Sequence, residues 1–372
     1  MNTKLATSLW MLASVWMAVK SGVSALSAWI CDVGSVPVHV DAVGLVVDER
    51  VARADDVGLQ VRVVVVDAGV HDGGDHPLSS CRGPRLLHGW MSDSSMWGRL
   101  ETNPAAQEYQ LIAVDLRGHG KSDKPHELEK YGPEMAEDVV RLLDHLKLPK
   151  AHLVGYSMGA IVAGKVAATH PDRVLSVVYG GQAPILTEKV KADAREIDVF
   201  AKAVEEGKGL GSYLLEVMPA DKPKLTEEQA NALAKILYGD KDVKAFAAAG
   251  RGIKNLDVTG DQLKKCKAPI LFVHGSKEAN ATKERAAVII KLLGRGEIKV
   301  IEGADHMTTL TNPEFGKTIG EFPIPSRCYA AEDSSTSAQA RGLDKAQAGY
   351  SHRKGLRGRK DYPHHAGLPV GE

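Results

Sequence analysis

Short apolar segments alternate with segments of helical period along most of this 372-residue chain, from residue 86 to residue 322. The apolar segments end in Gly or Asp, which is typical of parallel strands that are each followed by a helix. We therefore predict an α/β fold with a mainly parallel central sheet flanked by helices. The predicted strands cover residues 85–87, 110–114, 151–154, 174–179, 270–273 and 298–301.

A long helical segment interrupts this alternation between the fourth and fifth predicted strands. Residues 184–264 contain only helical patterns, such as those at 190–206 and 227–237. Helices inserted at this point lie over the carboxyl ends of the strands, where open α/β sheets bind their ligands. We therefore predict a core formed by residues 86–183 and 265–322, and a helical cap formed by residues 184–264.

The two ends of the chain differ from this pattern. In residues 1–27, Lys4 precedes an apolar stretch and then small residues, the order found in secretory signal peptides. The apolar stretch is shorter than the roughly 20 residues that a membrane span needs, so we expect no integral membrane domain. Export through a signal peptide and a cytoplasmic protein with an N-terminal extension both stay open.

The regions next to the core are harder to interpret. Residues 28–85 show one strand pattern, at 61–66, and whether residues 30–84 belong to the fold stays open. Residues 323–372 are rich in Ser, Ala, Gly, Gln and scattered basic residues. They carry few large apolar groups to offset the entropy of ordering, so we predict a disordered tail.

Charge and cysteine usage exclude several classes of function. Lys plus Arg and Asp plus Glu both number 47, so the formal net charge is zero and a nucleic-acid partner is not expected. The four cysteines share no C-x-x-C spacing, and no phosphate-binding glycine motif occurs. We expect no cofactor and no metal, and a small molecule as the substrate. The oligomeric state is not predicted.

A G-x-S-x-G motif marks the candidate nucleophile. Gly155-Tyr156-Ser157-Met158-Gly159 lies between a predicted strand and a predicted helix. In that context the motif forms a sharp turn that exposes the serine hydroxyl above the sheet. The unpaired N–H groups at the start of the following helix favour a developing oxyanion.

A serine needs a neighbouring base, and the base needs an acid that orients it. His306 follows the last predicted strand, and Glu278 follows the strand before it. The chain order of Ser157, Glu278 and His306 is the nucleophile, acid and histidine order of the fold that carries G-x-S-x-G elbows. Asp305 is the alternative acid.

With two further motifs the chain resembles the α/β-hydrolase superfamily. L-H-G-W at 87–90 is similar to the family's oxyanion loop, and D-L-R-G-H-G-K-S at 115–122 is similar to its D-x-R-G-x-G-x-S segment. The resemblance is to the branch of cap-bearing serine esterases, C–C hydrolases and cofactor-free haloperoxidases. It implies that the backbone N–H groups of Trp90 and Met158 form the oxyanion hole.

Two features depart from the family pattern. The family usually has aspartate at the position of Glu278. Its third strand also carries a longer apolar run before His-Gly, whereas this chain has only Leu86 and Leu87 there. Because central parallel strands are normally continuous apolar runs, the presence of this strand is an open question.

The sequence therefore predicts a serine hydrolase that cleaves carboxylic esters of small, largely apolar substrates through an acyl-enzyme on Ser157. The alternatives are a C–C bond hydrolase or perhydrolase with the same triad, and a non-catalytic binding protein of the same fold. Ser157 argues against haloalkane dehalogenases and most epoxide hydrolases, which resemble this branch but have an aspartate nucleophile.

Overall fold

The structure is a computed structural model that describes residues 46–54, 58–67, 84–101, 110–187, 195–218 and 225–322. The predicted signal peptide at 1–27 and the predicted disordered tail at 323–372 lie outside these residues. All the described residues belong to one compact unit, Met1–Ser326.

A single eight-stranded sheet forms the centre of the fold, with the strand order β1-β2-β4-β3-β5-β6-β7-β8. Strands β3 to β8 are parallel to one another, whereas β1 and β2 form an antiparallel pair that joins β4 antiparallel. The predicted α/β fold with a mainly parallel sheet is confirmed. The strands are β1 Val46–Ala54, β2 Leu59–Asp67, β3 Pro84–Leu87, β4 Gln110–Asp115, β5 Ala151–Tyr156, β6 Val174–Gly180, β7 Ile270–Gly275 and β8 Glu297–Ile301.

Strand β1 was not predicted from the sequence. It pairs with β2 over nine residues, from Val46 opposite Asp67 to Ala54 opposite Leu59. Its sequence, VVDERVARA, mixes charged and apolar residues without strict alternation. A strand at the edge of a sheet has one paired side and can tolerate such a sequence, so periodicity gave no signal.

Strand β3 is present despite its short apolar run. It begins at Pro84, is four residues long, and all four residues are buried. It pairs in parallel with β4 on one side and with β5 on the other, so main-chain hydrogen bonds hold it on both edges. Its end at Leu87 places His88 and the following loop at the carboxyl edge of the sheet.

Helices cover both faces of the sheet. One face packs against α2, α3, α8 and α9, and its core includes Leu153, Val177 and Phe272. The other face packs against α1 and α11, and its core includes Val154 and Val178. The core helices are α1 Gly98–Glu101, α2 Pro133–His145, α3 Met158–Thr169, α8 Gly260–Lys265, α9 Asn280–Leu293, α10 His306–Thr311 and α11 Pro313–Glu321.

The predicted helical insertion is present between β6 and β7. It contains α4 Arg195–Glu206, α5 Gly211–Val217, α6 Glu227–Tyr238 and α7 Val243–Ile253. These helices bury an apolar cluster of their own, in which Phe200 contacts the rings of Tyr213 and Tyr238. We call α4 to α7 the cap. At its base, Leu186 pairs with Val258 in an isolated parallel bridge.

Candidate active site

The turn between β5 and α3 has the geometry of a strained elbow. Ser157 has φ +53° and ψ −116°, a left-handed conformation that non-glycine residues rarely adopt. A Cβ on Gly155 would lie 2.2 Å from the carbonyl oxygen of Gly159, and one on Gly159 would lie 1.9 Å from that of Leu87. Both motif positions therefore require glycine, because backbone fills the space that a side chain would need.

Two backbone N–H groups near Ser157, those of Trp90 and Met158, have no hydrogen-bond acceptor among the described residues. The loop after β3 passes so close that a Cβ on Gly89 would lie 3.4 Å from the Ser157 Cβ. Met158 is also the first residue of α3, where the helix dipole favours negative charge.

The predicted acid and base are in contact. Glu278 follows β7, and His306 is the first residue of α10. His306 Nδ1 lies 3.0 Å from Glu278 Oε2, and the two residues are 3% and 5% exposed. A carboxylate only accepts hydrogen bonds, so Nδ1 carries the proton and Nε2 is the nitrogen left to act as a base. The second carboxylate oxygen accepts from the Ala279 N–H at 3.0 Å.

Asp305, the alternative acid, has a different set of partners. It is the N-cap of α10, and its Oδ1 accepts hydrogen bonds from the backbone N–H groups of Met307 and Thr308 and from the Thr308 hydroxyl. This is an ordinary helix-capping arrangement. The structure therefore brings Glu278, and not Asp305, to the imidazole of His306.

The Ser157 hydroxyl makes no hydrogen bond in the part of the chain that the structure describes. Its backbone N–H donates to the carbonyl oxygen of Gly180 at the end of β6, at 2.9 Å. A Cβ on the next residue, Gly181, would lie 3.1 Å from His306 Cε1. Ser157 and His306 therefore both lie next to the segment Gly180–Gly181 at the end of β6. Catalytic hydrogen bonds often tighten only when substrate is bound.

Tyr156 supports His306 and was missed by the sequence analysis. Its hydroxyl donates to the backbone carbonyl oxygen of His306, and its ring contacts the His306 and Phe315 rings at 5.4 and 5.6 Å. Burial raises the pKa of this phenol well above its ordinary value, so it stays a neutral donor. Tyr156 occupies a variable position of the G-x-S-x-G motif, where the pattern carries no information.

His88 ties the loop after β3 to the end of β4. Its Nδ1 donates to the Gly89 carbonyl oxygen at 2.7 Å, and its Nε2 accepts from the Leu116 N–H at 2.9 Å. Burial lowers the pKa of this imidazole, so it is neutral. Asp115 makes a second tie, because its carboxylate accepts from the backbone N–H groups of Ser94 and Lys121 at 2.7 and 2.8 Å.

Trp90 connects the same loop to the cap. Its indole N–H donates to the backbone carbonyl oxygen of Phe246 at 2.8 Å, and its ring meets the Phe200 ring edge-on at 5.3 Å. His119 lies between the rings of His88 and Phe246, at 5.0 and 4.9 Å. The loop that follows β3 is therefore anchored to the cap through the side chain of Trp90.

Burial, and secondarily the neighbouring His88, lowers the pKa of His119 to about 3. Its Nδ1 bonds the Arg117 carbonyl oxygen at 3.0 Å. The imidazole is fully buried, so it is neutral at ordinary pH and acts as an uncharged spacer between core and cap.

The described residues contain no group of three or more His, Cys, Asp or Glu side chains placed to hold a metal ion. Across the same residues, every helix is too short or too polar to span a membrane.

The comparison with known proteins identifies the class of this fold and site. Residues 86–196 match the family described as the alpha/beta hydrolase fold. Over 247 residues, 66% of this chain and 71% of the relative, the sequence is 32% identical to an epoxide hydrolase from Caballeronia sordidicola. The chain therefore belongs to the α/β hydrolase fold family and is a hydrolase of that fold.

Two other similar proteins extend this comparison. A 2-(acetamidomethylene)succinate hydrolase from Mesorhizobium japonicum is 28% identical over 281 residues, which cover 74% of this chain and 96% of the relative. A crystal structure from work on carboxylesterases of Nitrososphaera gargenis matches with a TM-score of 0.56 at 18% identity, over 73% of this chain and 96% of that one. The structural match supports the fold alone.

Proposed function

We propose that this protein is a serine hydrolase that cleaves carboxylic esters of small, largely apolar molecules. The observation that carries the proposal is the buried 3.0 Å contact between Glu278 and His306 at the sheet edge where the strained elbow presents Ser157. A carboxylate that orients an imidazole beside an exposed serine is the arrangement that activates a hydroxyl for acyl transfer.

In the first half of the reaction, the Ser157 hydroxyl attacks the ester carbonyl carbon while His306 Nε2 removes its proton. The tetrahedral oxyanion accepts hydrogen bonds from the N–H groups of Trp90 and Met158, and Glu278 stabilises the imidazolium cation. The C–O bond to the leaving group then breaks, and His306 returns the proton to the departing alcohol. The product is an acyl-enzyme on Ser157.

In the second half, a water molecule replaces the alcohol. His306 removes a proton from this water, and the hydroxide attacks the acyl-enzyme carbonyl carbon. The oxyanion forms again at the same two N–H groups, the bond to the Ser157 oxygen breaks, and the proton returns to that oxygen. The balance is one ester and one water in, one acid and one alcohol out.

Carbon–carbon bond hydrolysis and perhydrolysis use the same three groups, so they remain alternatives within this proposal. Epoxide opening, the activity named for the Caballeronia relative, fits less well. The epoxide hydrolases that resemble this branch attack with an aspartate, and this chain has Ser157 at the elbow. A non-catalytic binding protein of the same fold is the remaining alternative.

A panel of 4-nitrophenyl esters of increasing acyl length tests the proposal. We expect the Ser157→Ala variant to lose about 10⁴-fold or more in kcat, because the nucleophile is removed. Ser176→Ala is the matched control, since this hydroxyl is buried against His152 at the opposite end of the strands and should leave turnover intact.

Fluorophosphonate labelling separates an enzyme from a binding protein. Folded wild type should be labelled on Ser157, and Ser157→Ala should not. Ester turnover that survives the substitution, or folded wild type that neither turns over esters nor takes the label, would contradict the proposal. Turnover of styrene oxide without turnover of esters would indicate an epoxide hydrolase and not an ester hydrolase.

A further inference from the structure

Arg285 is a buried cation on the inner face of α9. The buried positions of this helix are Thr282, Arg285, Ala286 and Ile289, which form one stripe at helical spacing. Arg285 is 2% exposed, so its guanidinium lies inside the protein. Burial lowers its pKa from 12.5 to about 10, and it therefore remains charged at neutral pH.

The described residues supply no counter-charge for Arg285. One terminal nitrogen, Nη2, donates to the side-chain oxygen of Gln182, while Nε and Nη1 are buried with no hydrogen-bond partner. No ion pair forms with it in that part of the chain. An uncompensated buried charge destabilises a folded protein, and buried polar groups in native proteins normally have hydrogen-bond partners.

Arg117 is a partly buried arginine of this chain that differs from Arg285 in its partners. Its Nε and Nη2 bind the two oxygens of Asp138 at 2.5 and 2.6 Å, and Nη1 donates to the Lys130 carbonyl oxygen. Every nitrogen of that guanidinium has a partner. Arg285 is more deeply buried and has one bond, to a neutral amide.

Arg285 is also close in the fold to the catalytic edge of the sheet. Its partner Gln182 is the second residue after β6, in the connection that leads to the cap. Gly181, just before it, approaches His306, and Gly180 accepts the Ser157 N–H. The connection between Gln182 and the cap begins at the carboxyl edge, where ligands of open α/β sheets bind.

We propose that Arg285, together with Gln182, binds a carboxylate of the substrate, so that the preferred esters carry a free carboxylate on an otherwise apolar acyl chain. The substrate then supplies the negative charge that the described residues do not give to Arg285. The inference rests on the ester hydrolase proposal for its substrate class. A guanidinium whose Nε and Nη1 have no partner among the described residues is well suited to donate hydrogen bonds to a carboxylate.

Paired ester substrates provide the kinetic test. The 4-nitrophenyl hydrogen esters of succinate, glutarate and adipate are each compared with the neutral butanoate, pentanoate or hexanoate of equal chain length. Wild type should show the higher kcat/KM for the acid ester in at least one pair. Arg285→Met should lower that preference about 10- to 100-fold, the range expected for lost hydrogen bonds to a charged group.

Arg251→Met is the matched control. It removes the same charge from α7 of the cap, where Arg251 is half-exposed and pairs with Glu205. Exposed pairs of this kind contribute little, so the preference for the acid ester should remain. A wild type without any such preference, or equal losses on both members of a pair in Arg285→Met, would overturn the proposal.

Thermal unfolding tests the site without turnover. Because the described residues give the buried Arg285 no counter-charge, Arg285→Met should raise Tm, whereas removal of a purely structural arginine would lower it. Glutarate added to Ser157→Ala should raise Tm, and the double variant Ser157→Ala/Arg285→Met should lose this response. A lower Tm for Arg285→Met together with no glutarate response would overturn the carboxylate site.

The two proposals fail in distinguishable ways. If wild type turns over neither ester of any pair but glutarate still raises Tm through Arg285, the carboxylate site stands and the ester hydrolase proposal falls. If neutral esters are turned over and glutarate has no effect on Tm, the carboxylate site falls alone.

Discussion

Glu278 and His306 are positioned by groups of the core, whereas Trp90 is positioned from both the core and the cap. On the acid–base side, Tyr156 fixes the His306 backbone, and the Glu278 carboxylate binds His306 and the Ala279 N–H. On the oxyanion side, the indole of Trp90 is bonded to Phe246 of the cap. Among the described residues, Glu278 and His306 are thus held by the core alone, whereas Trp90 is held by both the core and the cap.

Because of this difference, substitutions in the two halves of the site should affect activity in different ways. A substitution at Glu278 removes an interaction that the core holds in a fixed geometry, so it should act on the chemistry directly. A substitution that alters the contact of Trp90 with the cap should act on the oxyanion hole through position. Under the proposed mechanism, a change in the cap would therefore alter the oxyanion loop and leave the contact between Glu278 and His306 in place.

Glu278→Gln should have the largest effect among the changes that separate the two halves. The amide can donate to Nδ1 and favour the wrong tautomer, and loss of an orienting carboxylate in a triad costs about 10⁴ in kcat. Ester hydrolysis by purified variants at pH 7 measures the effect. Asp305→Asn is the matched control and should retain turnover, because its carboxylate caps α10.

The opposite result would reverse this assignment. If Asp305→Asn abolishes turnover in folded protein and Glu278→Gln does not, Asp305 is the acid. A lower Tm for Asp305→Asn with normal kcat is the outcome expected from a weakened N-cap.

His119→Phe should weaken the dependence of the free energy of unfolding on pH. Its folded-state pKa of about 3 lies below the ordinary value of 6.5. Between these values the unfolded chain binds a proton that the folded protein does not, so the free energy of unfolding falls as the pH is lowered below 6.5. One such histidine contributes a slope of up to about 1.4 kcal/mol per pH unit.

Urea unfolding at pH 7 and pH 5 measures that slope. The variant should lose less stability than wild type over this interval, although His88 and His152, whose pKa values are also lowered by burial, keep part of the dependence. His145→Phe, at an exposed position of α2, is the control. An unchanged slope in His119→Phe would show that this imidazole is protonated in the fold.

Trp90→Phe should have the smallest effect on kcat among the substitutions in the proposed site. It keeps an aromatic ring against Phe200 and removes the hydrogen bond to Phe246, so the anchor of the oxyanion loop is weakened. We expect kcat to fall about 2- to 10-fold, the equivalent of one neutral hydrogen bond, with a smaller change in KM.

Trp97→Phe is the matched control for this prediction. Trp97 is buried on the opposite face of the sheet, and its indole nitrogen has no hydrogen-bond partner among the described residues. It should lower Tm and leave kcat unchanged. Equal changes of kcat and KM in Trp90→Phe would instead indicate that the ring only shapes the substrate pocket.

Those residues of the proposed site that depend on local geometry could be named from the sequence. The elbow needs glycines on either side of a serine, and strand ends in a parallel sheet meet at one edge, so Ser157, Glu278 and His306 could be placed from motif order. The bond from Trp90 to Phe246 joins positions 156 residues apart, and no local pattern encodes it. Tyr156 was missed because its role depends on a loop that returns to the sheet much later in the chain.

Arg285 could have been found from the sequence. It falls on the stripe of Thr282, Ala286 and Ile289, so a helical projection of α9 places a charge on the buried face. Charged residues normally occupy the outer face, and an exception of this kind marks a position to explain. The sequence could not show that Arg285 meets no acidic partner among the described residues, because that depends on three-dimensional packing.

The bridge between Leu186 and Val258 holds the two ends of the cap insertion next to each other. Thr187 N donates to the Val258 carbonyl oxygen at 3.0 Å, and Val258 N donates to the Ile185 carbonyl oxygen at 2.8 Å, so the chain leaves the core and returns to it at adjacent points. Segments of other lengths can join two neighbouring ends without moving the strands. Substrate range can therefore diverge by replacement of one continuous insert, while the sheet edge that holds the nucleophile is inherited unchanged.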